Sequence, residues 1–533
     1  MTERQRGWSR SDFTGSWRRV DPLTCVVGAS ALVVYALHGF DGMLKRDLAV
    51  YSYAGQQVAD GVPPYVGILN RAGPLAHLIP AIGVAGVRVG GFDELLGIRL
   101  LFMLLSGACV CVVFVLGRAL FGSQLAGLAG AAALLSFSGF IEYASNGPRE
   151  KTPMVLFLLC ALLAMTRQRW VAAGFCLSLA TLVWHPVFLI GLSAMLVAVV
   201  GVPRPGRIRA LVRVAVGGLI PASACLVYFA VVGALYEFID GFLLINARYT
   251  QALPLTRDLA KNWNRLQSGY GTSLWVLLLG LAALVVLSVA ATRRLDRRQD
   301  PLRASVAAVG AAAVAGIIWT FRDFNGWPDA FVLLPLAALG VSGLAAAVHH
   351  NLSQRAALPV TLTWVVVAVG LSMTFSIAER DHRLDQQRAS VAAVLGELPS
   401  DASILSIRAP QALVLSGKTN PTRNQMSTAG LDRYIDDTYP GGTQGFSAWI
   451  GRRQPTVIAL GGEPVPAWFV DTLHTKYWHV GEAPDWTWYV SSPSDPLSGR
   501  HCATRSATHE TAGGPARTRG PMLAGRRAML TRG

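Results

Sequence analysis

From residue 22 to residue 378 the chain alternates long apolar runs with short polar breaks, and beyond that the rhythm changes. Eleven runs carry apolar side chains on every helical face: 22–40, 98–117, 125–141, 153–166, 171–184, 186–202, 211–233, 272–292, 303–321, 329–348 and 358–378. Most are long enough to cross about 30 Å of hydrocarbon, so they predict an all-α polytopic membrane bundle. Run 73–91 is apolar too, yet it contains Pro80, His77, Arg88 and five glycines. That mixture fits a helix lying in the membrane interface better than one crossing it.

Residues 41–97, between the first two spans, form a long loop that is too polar to cross. Within it 47–60 patterns as a short amphipathic helix, followed by the turn Gly61-Val62-Pro63-Pro64-Tyr65. After residue 378 the pattern shortens. It is helical over 381–398, alternating over 403–408 and 456–461, helical over 464–476 and aromatic-alternating over 486–490. Strands interleaved with helices predict a small α/β domain over 379–496. The tail 497–533 is rich in Arg, Gly and Thr and is expected to be disordered.

Composition agrees and charge adds an orientation. Only 15% of the 533 residues are charged and 52% are hydrophobic; soluble domains carry about 25% charged residues. Arg4, Arg6, Arg10, Arg18 and Arg19 precede the first run, within 1–21. That run ends in no cleavage site and reads as an uncleaved span with a cytoplasmic N-terminus. With 73–91 left out of the count, every second loop then holds the basic residues: Arg118; Arg167 and Arg169; Arg204, Arg207 and Arg209; Arg293, Arg294, Arg297 and Arg298; His349, His350 and Arg355. Loops 41–97, 142–152, 234–271 and 322–328 and the C-terminal domain fall on the extracytoplasmic side of the cell membrane. The net charge of +16 is therefore topological and gives no reason to invoke nucleic acid. Six of the seven cysteines lie in apolar runs, with no disulfide or zinc spacing. There is no internal repeat and no phosphate-binding glycine loop.

Chemistry concentrates in the outer loops. Asp47 can act as a general base toward a hydroxyl, and Asp47 and Glu150 are the candidate ligands should a divalent cation be used. The structural alternative for Asp47 is a helix N-cap. Tyr53 and Gln57 lie on the short helix, where they can bind sugar hydroxyls. Arg99, at the outer end of the second span, is costly unless paired or wetted; the bland reading is a snorkelling interfacial arginine. Glu142, Arg149 and Glu150 crowd one outer mouth beside Lys151. A departing phosphate needs cations, and His185, Arg248 and Arg322 are outer candidates; Arg322 has the local partner Asp323 as its alternative role.

Asp47, Tyr53, the Gly61–Tyr65 turn and Gly73-Pro74-Leu75 opening an apolar helix resemble the layout of the GT-C glycosyltransferases, in the group described as dolichyl-phosphate-mannose mannosyltransferase-like. Relatives include protein O-mannosyltransferases and the aminoarabinose transferase of lipid A. The resemblance is closest over 41–153. The chain departs from it at Leu48, where many members carry a second acid, and at Ala72-Gly73-Pro74. It implies that Asp47 is the catalytic base and that Tyr65, His77 and Arg99 belong to the donor site, with an acid of loop 142–152 near the phosphate. The implied partners are a polyprenyl-phosphate sugar donor and a lipid, glycan or protein acceptor, with mannose the implied sugar and inversion of the anomeric centre. A secondary transporter or flippase for a lipid-linked sugar is the alternative. It would favour repeats and ionisable groups at mid-membrane, whereas here the charges sit at span ends. A receptor or scaffold would instead rest its function on the outer domain.

Overall fold

A computed structural model describes residues 21–492 other than 251, 294–299, 429 and 463. The basic N-terminal residues, Arg294, Arg297 and Arg298, and the tail expected to be disordered lie outside the described residues. All eleven expected spans are helical. Helix α1 (Pro22–His38) leads to α2 (Arg46–Ala59) and α3 (Leu75–Arg88), which pack together over the start of α4 (Glu94–Phe121). Gly97 on α4 faces Gly83 on α3 so closely that a Cβ on Gly97 would meet the Gly83 carbonyl at 2.5 Å. Small residues let the two backbones touch, which seats the helix of run 73–91 closely on α4.

Helices α5 (Gln124–Leu135) and α6 (Ser138–Asn146) meet at 71°. The sequence suggested one straight span to residue 141 and a loop beyond. Instead Ser136 Oγ donates to the Ala133 carbonyl at 2.8 Å, satisfying the end of α5, and Phe137 turns extended. Next come α7 (Lys151–Thr166), α8 (Trp170–Val183), α9 (Val187–Val200) and α10 (Arg204–Val231). The segment expected as a loop at 234–271 is largely helical: α11 (Leu235–Phe238), a π-helical turn, α12 (Ile245–Arg248) and α13 (Leu259–Tyr270). The bundle closes with α14 (Ser273–Thr292), α15 (Pro301–Arg322), a 3-10 helix (Trp327–Leu333), α16 (Leu334–Asn351) and α17 (Gln354–Ala378). Six described helices are long and apolar enough to cross a membrane, and seven if α5 and α6 form one broken span. Helices α1, α7, α8 and α9, of 14 to 17 residues, stand where the remaining spans were expected.

Asp21, capping α1, pairs with Arg118 in the last turn of α4. The start of α1 therefore lies beside the end of α4.

The C-terminal domain comprises α18 (Arg383–Gly396), β1 (Ile404–Ile407), α19 (Pro410–Ser416), α20 (Leu431–Thr438), α21 (Gly442–Arg453), β2 (Val457–Gly461), α22 (Val470–Lys476), β3 (Tyr477–Ala483) and β4 (Trp486–Ser491). The sheet order is β1-β2-β4-β3, with β1 and β2 parallel and the others antiparallel. Strand β3 went unpredicted because it follows α22 with no turn residue between them. The domain sits on the α2 end of the bundle: the Asn420 N–H donates to Tyr53 Oη at 2.9 Å, and the Leu69 N–H to the Arg423 carbonyl at 3.0 Å.

Val89, 94% exposed at the end of α3, tests the orientation. A cysteine there is expected to react with an impermeant maleimide on intact cells, whereas one replacing Gln124, beyond the other end of α4, should react only after permeabilisation. The reverse pattern would overturn the topology.

Candidate functional site

Three chain segments converge where α2 begins. Lys45, Arg46 and Asp47 come from the first loop and α2; Glu142, Tyr143, Arg149, Glu150 and Lys151 come from α6, the following turn and α7; Asp329 comes from the 3-10 helix before α16. Arg149 is the hub. Its side chain is only 8% exposed; Nη1 lies 3.2 Å from Asp47 Oδ2 and Nε 3.2 Å from Glu150 Oε2, while its guanidinium carbon stands 5.6 Å from the Tyr143 ring centroid. Tyr143 in turn stacks on Trp327 at 4.9 Å. On either side Lys45 pairs with Glu142 and Lys151 with Asp329.

Asp47 differs from its neighbours in reach. Protein crowds it on most sides, yet its side chain keeps 57% of its surface accessible, so the carboxylate is open to solvent. Crowding pushes its pKa up, but Arg149 and then Arg46 outweigh that and hold the carboxyl below the ordinary carboxylate range. Arg149, although desolvated, is kept charged by Glu150 and Asp47. The result is an ionised, accessible oxygen acceptor backed by a buried cation. A cavity of about 760 Å³ opens nearby; Asp47 and Arg149 do not line it, but Lys45 and Leu48, on either side of Asp47 in the chain, do. Lys45, Glu142, Arg380 and Asp381 line its polar part, and Trp364, Leu371 and Phe375 give it an apolar wall.

No family model and no curated protein matches the sequence. Among solved structures the chain is similar to ArnT from Cupriavidus metallidurans bound to undecaprenyl phosphate, with a TM-score of 0.59 at 15% identity, covering 89% of this chain and 99% of that one. It is also similar to the apo state of the same protein, with a TM-score of 0.51 at 15% identity and the same coverage. The chain has the GT-C fold.

Within this GT-C fold the expected site residues divide. Asp47, Arg149 and Glu150 come together, with Glu142 adjacent through Lys45. The capping alternative for Asp47 does not hold: the N-cap of α2 is Lys45, and Asp47 lies inside the first turn facing Arg149. Arg99 is 1% exposed and donates to the Phe40 carbonyl and, at 2.8 Å, to the Gly42 carbonyl, so it braces the loop rather than offering a free cation. Tyr53 is buried under the C-terminal domain and Gln57 under the 61–67 turn. Tyr65 is core: its hydroxyl donates to the Ala72 carbonyl at 2.7 Å, and its ring packs on His77, Phe229 and Phe238. His77 is fully buried, with Nε2 3.0 Å from Asn70 Oδ1, and burial holds its pKa down to about 3, so it stays neutral. His185 lies half-buried against Phe242 at the α8–α9 break. Arg248 is exposed at the end of α12. Arg322 lies over Trp319 at 5.9 Å instead of pairing with Asp323, which accepts from Asn325 Nδ2 at 3.1 Å.

Sequence reasoning missed Lys45 and Asp329. Asp329 fell inside an apolar window, and its position after Gly326-Trp327-Pro328 signals only a helix start. It does serve as one, accepting the Asn325 N–H at 2.7 Å, but its other oxygen takes Lys151. The donor set does not suit a divalent cation: no three His, Cys, Asp or Glu side chains converge among the described residues, and between Asp47 and Glu150 stands a guanidinium.

Breaking a buried pair leaves its partner charge stranded. Lys151→Met is expected to lower stability by about 3 kcal/mol, and Lys151→Met combined with Asp329→Asn to recover part of it. Thermal unfolding of the purified variants checks this; additive losses would mean that the two side chains do not interact.

Proposed function

We propose that the chain is a membrane glycosyltransferase that moves a sugar from a polyprenyl-phosphate donor to a hydroxyl of an extracytoplasmic lipid, glycan or protein acceptor. The observation that carries this reading is the accessible Asp47 carboxylate held against the buried Arg149, with an amphipathic cavity reaching the flanking Lys45 and Leu48. The fold shared with a protein solved with undecaprenyl phosphate supports the donor class. Mannose is the sugar we propose, on the motif resemblance between Asp47 and Leu75. The N-terminus would lie in the cytoplasm of a plasma-membrane enzyme and the C-terminal domain outside, on the Asp47 side.

In this reaction the acceptor hydroxyl donates to Asp47 and attacks the anomeric carbon from the face opposite the phosphate. The acceptor O–C1 bond forms as the C1–O–phosphate bond breaks, the configuration inverts, and the proton ends on Asp47. The phosphate leaves with the bonding pair. Arg149 is the nearest buried cation, and a preorganised cation in a water-poor site stabilises such charge without reorganising. The prenyl chain would lie along the apolar wall formed by Trp364, Leu371 and Phe375. The transporter alternative gains no support, because the ionisable cluster gathers at one end of the bundle.

Asp47→Asn is expected to abolish transfer from a labelled polyprenyl-phosphate mannose while the protein remains folded; full activity in that variant would remove Asp47 from the mechanism. The active form of Asp47 is ionised and its pKa is depressed, so activity should persist below the usual carboxylate range and fall only as pH drops through the lowered value. Arg149→Ala removes the largest lowering contribution and leaves the crowding. The acid limb of the pH–rate profile should then move upward. An unmoved limb would show that Arg149 does not set the protonation of the base.

A further inference from the structure

The segment that delivers Asp47 is held by side chains from the far end of the sequence. Leu44 and Gln387 exchange two hydrogen bonds: the Leu44 N–H donates to Gln387 Oε1 at 2.8 Å, and Gln387 Nε2 donates to the Leu44 carbonyl at 3.2 Å. The Met43 N–H donates to Asp381 Oδ2 at 3.1 Å. One residue before Asp47, the Arg46 N–H donates to Asp485 Oδ2 at 3.1 Å, and the same oxygen accepts from Gln411 Nε2 at 2.6 Å. Lys45, the N-cap residue of α2, makes no side-chain capping bond.

Helix α2 thus begins with unsatisfied N–H groups, and a carboxylate is the favoured partner at such an end. That carboxylate comes from the tip of the β3–β4 hairpin, where Asp485 has a φ of 86°. An aspartate tolerates this left-handed conformation better than most residues, and the conformation lies at the turn between the two strands. Gln387 is fully buried and also donates to the Pro484 carbonyl at 2.9 Å, joining the hairpin tip to the Leu44 backbone.

We infer that the C-terminal domain is a positioning device for the base, with Asp485 capping the Asp47-bearing helix from another domain and Gln387 fixing the strand of chain that enters it. This rests on the glycosyltransferase reading for its catalytic consequence but not for its structural one. Asp485 and Gln387 are positioning residues: they act on Asp47 through the α2 backbone.

The test uses the full-length protein in lipid nanodiscs. Asp485→Ala is expected to raise amide hydrogen exchange across 43–49, leaving exchange within α4 and α14 unchanged. With polyprenyl-phosphate mannose as donor and acceptor-bearing membranes, it should lower kcat about ten- to a hundredfold, the scale of a misplaced reacting group, with the donor KM unchanged. Asp485→Asn keeps an oxygen acceptor and should restore most of both. Unchanged exchange and unchanged kcat in Asp485→Ala would overturn the inference, as would Asp485→Asn behaving like Asp485→Ala. If Asp485→Ala fails to fold, Gln387→Glu, which keeps the acceptor but loses the donated bonds, must show the same local exchange increase or the inference fails. Wild-type protein that shows the protected 43–49 segment but no transfer would instead sink the glycosyltransferase reading and leave the positioning intact.

Discussion

A single desolvated guanidinium organises this molecule's functional end. Arg149 is too buried to be solvated by water, so it must be neutralised by protein, and two carboxylates do so from different directions. Burying such a group costs several kcal/mol unless its pairing is well made. The structure therefore has to bring α2, the α6–α7 turn and the 3-10 helix before α16 into one register. Tyr143 and Trp327 supply flat aromatic surfaces that fill the gaps between the charges. The same constraint leaves one carboxylate, Asp47, facing open space while its cationic partner stays hidden. An accessible acceptor with a concealed counter-charge is the arrangement that a base beside a departing anion requires.

The second constraint is placement of the loop before α2. That loop cannot stabilise itself, since it is short, irregular and contains Gly39 and Gly42. Arg99 holds its first half through carbonyls, Asn146 takes the Gly42 N–H at 3.1 Å, and the C-terminal domain holds the second half. Bundle and C-terminal domain meet where α2 begins, and the hairpin of the β-sheet holds the segment that carries Asp47.

Much of this was legible in the sequence. The apolar runs located the helices, since nothing else in a 533-residue chain explains such continuous hydrophobicity. The exclusion of run 73–91 from the spans followed from charge bookkeeping. Asp47, Arg149 and Glu150 were visible as polar residues at span ends. Their convergence was not, because 102 positions separate Arg149 from Asp47 and only tertiary packing closes that distance. Tyr65 and His77 looked available in a loop and proved to be core, the aromatic ring of one lying against the imidazole of the other. Arg99 shows the same limit: residue type told that it needed partners, and backbone carbonyls met the need as well as a phosphate would.

The Lys151–Asp329 pair has a bearing on how the chain is made. The two residues are 178 positions apart, and ribosomes add about 5–20 residues per second. Lys151 therefore waits on the order of 10–40 s for its acid after it is synthesised. During that interval the ammonium at the head of α7 lacks the acid that pairs with it in the finished fold, and water or lipid phosphates are the partners within reach of such a group.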